Sequence, residues 1–259
     1  MPPPVSPLAA CAACSAPTSL VCASCLTASF CSAGCAAAAW AAHGCCRDAD
    51  AQAPVAPDAA AAAFLAGTAE KAVFNQYWYA AHTIGALVAE VAGLPPRGGR
   101  PPRVAFLCTP SLFFAFPAAL RAARGYALLD IDAAAFGGTP GYFVLDFFAP
   151  GVPPPLAGAF DAVVVDPPFI TKDCWAAAAR TCRALLGAAG DAGALGDGRA
   201  LIATSVRENE PLLAELLGCK RARFQPSIPH LVYQYETFVS GFEPTVLSRL
   251  NPELPPPDD

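Results

Sequence analysis

The chain has 259 residues with a formal net charge of −5, and 55% of the residues are hydrophobic while 14% are charged. This length and composition allow one full-sized core and one small domain. The chain start lacks the basic segment and the continuous apolar run of a secretory signal. The longest charge-free stretch of the later chain, between Arg103 and Arg121, contains two prolines and is shorter than the ~20 apolar residues of a membrane span. We therefore expect a soluble, cytoplasmic protein without a membrane partner.

The N-terminal cysteines are spaced as metal ligands. Eight of the 12 cysteines fall within the first 46 residues, whereas the later ones are scattered as buried apolar side chains would be. Two Cys-x-x-Cys pairs come first, a third pair follows at helical spacing, and a histidine with two more cysteines ends the segment. These pairs supply eight ligands, enough for two closed tetrahedral zinc sites. Without an export signal, clustered cysteines indicate metal binding more than disulfides.

This spacing resembles the MYND zinc finger, including Phe30 before the fifth ligand and Trp40 before the histidine. The resemblance implies two interleaved zinc sites. One would be held by Cys11, Cys14, Cys31 and Cys35, and the other by Cys22, Cys25, His43 and a final cysteine. The family usually places three residues between the histidine and the last cysteine, and here that position is Arg47. Cys46 is the predicted last ligand, Cys45 is the alternative, and disulfides or unligated thiols are the competing interpretation.

The predicted zinc module should bind a peptide rather than a nucleic acid. Residues 1–46 contain no Lys, Arg, Asp or Glu. Four thiolates on one Zn²⁺ leave a charge of about −2, and three thiolates with a neutral histidine leave about −1. The loaded module would therefore repel a phosphate backbone. The resemblance implies a proline-containing peptide as its partner, which agrees with this charge.

Composition divides the chain into four parts. Residues 1–47 form the predicted zinc finger, and residues 48–63, mostly Ala, Pro and Asp without a hydrophobic period, predict a linker that runs into the start of a helix. Residues 64–250 form the large domain, and residues 251–259 a solvated tail.

Short apolar runs alternate with helical stretches in the large domain. The strand candidates are RVAFLC, YALLDID, GYFVLDF, FDAVVVD and RALIATSV, with two more around a Pro-rich turn near the end. Helices are predicted after Thr109, an N-cap candidate followed by Pro110, from about Thr171 to Leu186, and at NEPLLAELLG. This alternation predicts an α/β domain with a mostly parallel sheet, whose ligands bind at the carboxyl ends of the strands.

The fourth predicted strand ends in Asp166, Pro167, Pro168 and Phe169. Neither proline can continue a sheet ladder, because neither has an N–H, and both Asp166 and Pro167 are held extended by the proline that follows. The result is a rigid platform that presents a carboxylate, one or two free carbonyl oxygens and an aromatic face. Such a set can hold an amino group and aim its lone pair at an electrophile. A purely structural turn would explain the prolines but not the acid and the ring.

The tetrapeptide resembles motif IV of amino-group methyltransferases, Asp/Asn-Pro-Pro-Tyr/Phe/Trp. Together with FNQYWY upstream of the first strand, CTPSL after it and LDID at the second strand, it resembles the N6-adenine methyltransferase-like family over roughly residues 64–242. The resemblance implies a seven-stranded Rossmann-like methyltransferase fold with S-adenosylmethionine as cofactor. That family includes elongation factor 1-alpha lysine methyltransferases and a relative that methylates adenine in ribosomal RNA.

The resemblance also implies roles for individual residues. The catalytic platform would be Asp166, Pro167 and Phe169. The residues that bind the cofactor would be Asn75, Gln76, Tyr77, Trp78, Thr109, Asp130 or Asp132, and Asp146. Asp130 and Asp132 compete for the ribose hydroxyls, and Asp132 is the preferred candidate. Methyltransferases usually have a Gly-rich turn after the first strand, whereas the turn here, Cys108 to Leu112, contains no glycine.

Lysine and adenine both present a primary amine to such a site. Residues 64–250 contain 15 Lys plus Arg and 15 Asp plus Glu, whereas an RNA enzyme usually has a basic footprint. We therefore expect a protein-lysine substrate, for which the resemblance suggests elongation factor 1-alpha, and keep N6-adenine in RNA as the alternative. LVYQYETF departs from the Asn-Glu-Phe-Arg-like stretch of the lysine enzymes. A third interpretation is a non-catalytic adaptor in which the zinc module is the functional part.

Overall fold

The computed structural model describes residues 57–149, 151–190, 192–196 and 198–255, together with two short segments near the N-terminus. Those segments are strand β1, Leu20–Val21, and strand β2, Ser29–Phe30, which pair antiparallel. The predicted zinc ligands, from Cys11 to Cys46, lie outside the described residues. The two-zinc module therefore stays a prediction.

The large domain alternates strands and helices along the chain. The helices are α1 Pro57–Gly67, α2 Ala81–Ala92, α3 Pro110–Ala115, α4 Ala118–Arg124, α5 Ala133–Phe136, α6 Lys172–Leu186 and α7 Glu210–Leu217. The strands are β3 Val104–Leu107, β4 Ala127–Asp130, β5 Tyr142–Val144, β6 Ala162–Val165, β7 Ala200–Val206, β8 Lys220–Arg221 and β9 Tyr235–Ser240. Short 3₁₀ turns cover Ala72–Phe74, Pro154–Leu156 and Arg207–Asn209.

These strands form one seven-stranded sheet in the order β5-β4-β3-β6-β7-β9-β8. Strands β3 to β7 are parallel, and β9 runs antiparallel to both β7 and β8. The chain first builds outward from β3 to β5 and then returns to place β6 on the other side of β3. This confirms the predicted α/β class with a mostly parallel sheet, and it puts a topological switch point between β3 and β6.

The central strands are apolar throughout because helices cover both faces of the sheet. All four residues of β6 are buried, with Val164 in the core beneath α2 and α3 and Val165 in the core beneath α6. Phe106 and Trp175 are among the largest fully buried side chains of these two cores. Burial of such side chains contributes roughly 1.5–3 kcal/mol each.

The helical stretch after β3 divides in two at a proline. Helix α3 ends at Ala115, and α4 begins at Ala118, because Pro117 lacks the N–H that would continue the helical ladder. Thr109 occupies the predicted N-cap position of α3, but its hydroxyl donates to the carbonyl of Val164 at 3.4 Å instead of capping the helix. The helix predicted from Thr171 is confirmed, with the Thr171 hydroxyl accepting from the amide of Cys174.

Helix α1 begins at Pro57, inside the range predicted as linker. Ala61 and Phe64, three residues apart, lie on one face and are buried against the core. The alanine-rich segment PDAAAAAFLAG has no hydrophobic period, so its buried face could not be seen in the sequence. The packed domain therefore starts about two helical turns earlier than the sequence-based boundary at residue 64.

A buried carboxylate anchors the C-terminal part of the domain. Glu90 of α2 accepts hydrogen bonds from the amides of Thr245, Val246 and Leu247 at 2.7–3.2 Å. These bonds satisfy a charge that would be costly to bury alone. Among the described residues, no helix is both long and apolar enough to cross a bilayer.

Candidate active site

The carboxyl ends of the central strands bring four side chains into one row. In the sheet register, Leu107 of β3 lies opposite Leu129 of β4 and Val165 of β6, and Val165 lies opposite Ala203 of β7. The residues that follow them are therefore neighbours along this edge: Asp130, Cys108, Asp166 and Thr204.

All of these except Thr204 line an open cavity of about 960 Å³, a volume that includes space continuous with solvent. We call one side of this cavity the β4 half. It is lined by residues at or just after the ends of β4 and β5, including Asp130 and Asp146. The other side, the β6 half, is lined by the Asp166–Phe169 platform and by Ile228, Leu231 and Tyr235. Residues 73–77 line both halves from the N-terminal side. The cavity thus lies at the switch point of the sheet, where ligands of such folds bind.

The carboxylate of Asp166 is held by a distant tyrosine. The hydroxyl of Tyr79 donates to Asp166 Oδ2 at 2.6 Å, and its oxygen lies 2.6 Å from the hydroxyl of Thr204. Burial raises the pKa of Asp166 to about 7, although the hydrogen bonds from Tyr79 and Thr204 work against this rise. Asp166 can therefore exchange a proton near neutral pH, as expected of a group that works in proton transfer.

The remaining residues of the platform are placed as predicted. Pro167 is buried, whereas 48% of Phe169 is exposed, so the ring is accessible from the cavity. The side-chain amide of Asn75 donates to the carbonyl of Pro168. Asn75 thereby joins the segment before α2 to the platform, and one of the two carbonyls expected to face a substrate already carries a hydrogen bond.

The two candidate acids after β4 have different roles. Asp130 lines the cavity and accepts from the amide of Asp132 at 2.9 Å, and burial raises the pKa of Asp130 to about 6. Asp132 does not line the cavity: it forms an ion pair with Lys71 at 2.6 Å and accepts from the amide of Ala135 in α5. Burial opposes ionisation of Asp132, but the bonds from Lys71 and Ala135 outweigh it and lower its pKa. The geometry therefore favours Asp130 over Asp132 as the candidate ribose ligand, and the choice between them stays a prediction.

Asp146 also lines the β4 half, as predicted. Its carboxylate accepts from the amide of Phe148 at 2.9 Å, and its side chain is exposed to the cavity. Ile131, Phe147 and Phe148 supply apolar walls beside it. Two acids between apolar walls suit a ligand with hydroxyl and amino donors and a flat ring.

The turn after β3 reaches the cavity through Cys108 rather than through Thr109. Thr109 is buried beneath the row and does not line the cavity, so its predicted contact with the cofactor is not supported by the geometry. Cys108 has a backbone φ of +56°, in the left-handed region that favours glycine. The chain thus adopts the glycine-type conformation of this turn without a glycine, while the amide of Cys108 donates to the carbonyl of Leu129 at 3.0 Å.

Residues 70–79 form a segment that closes the cavity and that we call the cover segment. Asn75, Gln76 and Tyr77 line the cavity as predicted. Trp78 does not: it is 8% exposed, packs edge-to-face on Phe64, and its indole N–H donates to the carbonyl of Thr68. The structure thus places Trp78 in the aromatic core and not at the cavity.

The cover segment is tied down at two further points. Lys71 pairs with Asp132 near β4, and Glu70 lies 2.7 Å from His230 in the loop before β9. Gln76 Oε1 is buried without a hydrogen-bond partner among the described residues. This acceptor could be satisfied by a donor from a ligand in the cavity.

The charge of the cavity lining is uniformly acidic. Among the described lining residues are Asp130, Asp146 and Asp166, and no Lys, Arg or His. Such a surface favours cationic ligands and disfavours phosphate groups. Nor do the described residues contain a group of three or more His, Cys, Asp or Glu side chains that could hold a metal ion.

Residues 70–243 match the family described as probable N6-adenine methyltransferase. The matched range includes the cover segment, the strand tips and the platform. It covers well over half of the chain. The chain belongs to this family. Its membership confirms the family resemblance that the platform and the FNQYWY segment indicated.

Two solved structures of the branched-chain polyamine synthase of Thermus thermophilus, both in complex with N4-aminopropylspermidine and 5'-methylthioadenosine, resemble this fold. The C9 mutein is 22% identical, with 61% of this chain and 46% of that chain covered and a TM-score of 0.41. The other is 16% identical, with 71% and 63% covered and a TM-score of 0.48. The chain therefore spans less than two thirds of the length of either synthase. No curated protein matches the chain significantly.

The residues of the cavity fit S-adenosylmethionine. Asp130 offers a carboxylate to ribose hydroxyls, and Asp146 lies between apolar walls that suit the adenine. The orphan acceptor of Gln76 and the acidic lining suit the ammonium and sulfonium charges of the cofactor. These residues would hold the cofactor in the β4 half and leave the β6 half for the methyl acceptor.

Several residues of this site were not predicted from the sequence. Tyr79 and Thr204 hold Asp166, and Cys108, Leu231 and Tyr235 line the cavity. Tyr79 lies within the motif FNQYWY, which marked its segment but not its role. Cys108 lies in CTPSL, and Leu231 and Tyr235 lie in LVYQYETF, but neither stretch indicated a role for these residues. Only the folded chain brings them and Thr204 to the site.

Proposed function

We propose that the protein is an S-adenosylmethionine-dependent protein-lysine N-methyltransferase. The observation that supports lysine most directly is the β6 half itself. Asp166 lies there among Phe169, Leu231 and Tyr235, and no described Lys, Arg or His lines the cavity. A lysine side chain would bring a cation to an acid and an alkyl stem to apolar walls.

Aromatic side chains suit the charge of the product as well as the substrate. Phe169, Tyr77 and Tyr235 all line the cavity. Ring faces attract ammonium groups, including methylated ones, by about 0.5–2 kcal/mol. Each methyl group that is added replaces one N–H donor, so the methylated ammonium needs fewer hydrogen-bond acceptors. Aromatic walls can therefore contact both the substrate amine and its methylated product.

Asp166 is suited to prepare the amine. A lysine ammonium has no lone pair and must lose a proton before it can react. Because burial raises the pKa of Asp166 to about 7, its carboxylate is a competent proton acceptor in neutral solution. The proton then resides on Asp166, and the carbonyl oxygen of the resulting acid and a platform carbonyl would accept the two remaining N–H bonds and orient the nitrogen. The cofactor supplies the electrophilic methyl group when it is bound.

N6-adenine in RNA remains the second candidate. The description of the family names adenine, and the exposed face of Phe169 could stack on a base. The acidic lining of the cavity disfavours a nucleotide substrate, because the phosphates of the nucleotide would meet no cation there. The basic cluster Lys220, Arg221 and Arg223 does not compensate, since Arg221 pairs with Glu210 and Glu236.

Labelled cofactor and a whole-cell extract test this proposal. The full chain is incubated with both, with and without RNase, and the label is followed on a protein gel and in extracted RNA. We expect RNase-resistant label in protein, including a band of the size of elongation factor 1-alpha. Label confined to RNA would establish the adenine alternative instead. The Asp166→Ala variant serves as the blank, and Asp173→Ala, at an exposed acid in α6, as the matched control.

We also propose that the N-terminal module holds two zinc ions through the eight ligands named above and binds a proline-containing peptide. The spacing of its Cys-x-x-Cys pairs supports this. Elemental analysis of the purified full chain should give about two zinc ions per chain. Replacement of Cys22 and Cys25 by Ser should lower this to about one, whereas a content near zero in the unaltered chain would contradict the proposal.

A further inference from the structure

The exposed large apolar side chains of the described residues gather at the mouth of the cavity. Five of the ten line the cavity, namely Val73, Tyr77, Ile131, Phe148 and Phe169. Two more, Val232 and Tyr233, directly follow the lining residue Leu231 and are 87% and 58% exposed. Single exposed apolar side chains are ordinary, but a cluster around a cleft marks an interaction surface.

Val232 and Tyr233 belong to residues 226–234, which we call the mouth loop. The base of this loop is fixed to the start of α2. The amide of Ala80 donates to the carbonyl of Ser227 at 2.8 Å, and the amide of Ser227 donates to the hydroxyl of Thr83 at 2.9 Å. Gln234 closes the loop by donating to the carbonyl of Pro226 at 3.1 Å. The two exposed side chains are therefore presented by an anchored loop.

The chemistry of the mouth loop restricts its partner. The loop contains no Lys, Arg, Asp or Glu, and its one histidine, His230, lies against Glu70. Next to the loop, the β6 half of the cavity ends at Asp166. The partner that complements this arrangement has a cation that enters the cavity and large apolar side chains beside it.

We propose that Phe169, Val232 and Tyr233 form a docking surface for the polypeptide substrate, and that this surface selects lysines flanked by large apolar side chains. The proposal rests on the proposed function and adds the sequence context of the target. The target lysine enters the β6 half, and its apolar neighbours pack on the mouth loop and on the face of Phe169. An RNA strand would place its phosphates on a loop without free cations, which binding to nucleic acid does not favour.

The double variant Val232→Ser/Tyr233→Ser tests this surface in the full chain. Both side chains are exposed, so the fold should be kept, and the midpoint of thermal unfolding checks this. The probe is RNase-treated whole-cell extract with labelled cofactor, and the readout is the initial rate of protein labelling at low extract concentration. We expect this rate to fall about ten-fold, as for loss of a tyrosine-centred contact, while cofactor affinity by calorimetry stays within about two-fold.

A matched control and a second measurement make the outcomes separable. Phe143→Ser/Leu250→Ser also removes two exposed apolar side chains, but neither residue lines the cavity, so its labelling rate should stay close to that of the unaltered chain. Mass spectrometry of the labelled proteins should place large apolar residues within two positions of the modified lysine. An unchanged rate in Val232→Ser/Tyr233→Ser, an equal fall in the control, or target sites without apolar neighbours would overturn the docking surface alone. Label found only in RNA, in the extract without RNase, would overturn the proposed function as well as the docking surface.

Discussion

The two halves of the cavity are built in different ways. In the β4 half, Asp130 and Asp146 accept hydrogen bonds from amides only two residues further along the chain, those of Asp132 and Phe148. In the β6 half, Asp166 accepts from Tyr79, 87 residues away, and its apolar walls come from the loop before β9. The first half is a product of local turns, whereas the second exists only once distant parts of the chain have packed.

This difference separates two functions. We expect the locally fixed acids, together with Gln76 of the cover segment, to bind the cofactor. The β6 half depends on Tyr79 and on the mouth loop, so a change in either should affect the acceptor more than the cofactor. Variants in one half should therefore leave the function of the other largely intact.

The largest effect is expected for Asp166→Ala. Without the carboxylate, the amine has neither its proton acceptor nor its anchor, and methyl transfer should fall by at least about 10³-fold. Cofactor affinity, measured by calorimetry, should stay within about three-fold because the β4 half is untouched. If transfer and cofactor binding were both lost, Asp166 would have a folding role and the division into halves would fail.

The next largest effect is expected for Asp130→Ala, in cofactor affinity. Loss of hydrogen bonds to a charged group costs about 1.5–3 kcal/mol, which corresponds to roughly a 10- to 150-fold weaker affinity. Asp132→Asn should weaken the affinity by less than about three-fold, because Asp132 faces Lys71 and α5 instead of the cavity. The opposite ranking in calorimetry would restore Asp132 as the ribose ligand.

The pH dependence should belong to the β6 half. The ionised form of Asp166 is the one that accepts a proton, and it is populated above its pKa of about 7. The rate at low substrate concentration should therefore rise about ten-fold between pH 6 and pH 8. Asp166→Asn keeps a carbonyl acceptor but cannot titrate, so its residual activity should lack this rise. A rise that persists in Asp166→Asn would assign it to another group.

Tyr79→Phe should have a smaller effect on the same half. Because the hydrogen bond from Tyr79 lowers the pKa of Asp166, its removal should raise that pKa further and shift the rise in activity to higher pH. The maximal rate should fall about five-fold as the carboxylate loses one anchor. Cofactor affinity is the control and should not change. A shift toward lower pH would contradict the assigned contact.

The smallest effect is expected for Asn75→Ala. Its amide bonds the carbonyl of Pro168 and so joins the cover segment to the platform. Loss of one such neutral hydrogen bond costs about 0.5–1.5 kcal/mol, so the rate should fall about two- to ten-fold. Glu70→Gln weakens the contact to the exposed His230, while its side-chain carbonyl can still accept from the amide of Trp78. The rate of this variant should fall less than that of Asn75→Ala in the same assay.

The contrast between local and distant contacts also explains how far the sequence could lead. The strand runs and the Asp-Pro-Pro-Phe platform are local patterns, and they predicted the sheet, the platform and the acids at the strand tips. The sequence could not rank Asp130 against Asp132, because the partner of Asp132 is Lys71, 61 residues away. The packing of Trp78 on Phe64 is likewise a contact that no local pattern predicts.

Cys108 shows a further limit of sequence patterns. No glycine follows β3, although methyltransferases usually have a Gly-rich turn there. Cys108 nevertheless adopts the left-handed conformation that glycine would provide. A rule based on residue type therefore missed a backbone shape that the surrounding sheet imposes.

The most direct test of the two-half arrangement is a crystal structure of the full chain with S-adenosylhomocysteine. We expect its ribose at Asp130, its adenine beside Asp146 and Phe148, and its sulfur directed toward Asp166, with the β6 half left open between Phe169 and Tyr235. A ligand whose ribose is held by Asp132, or one that fills the space beside Asp166 and Phe169, would contradict this arrangement.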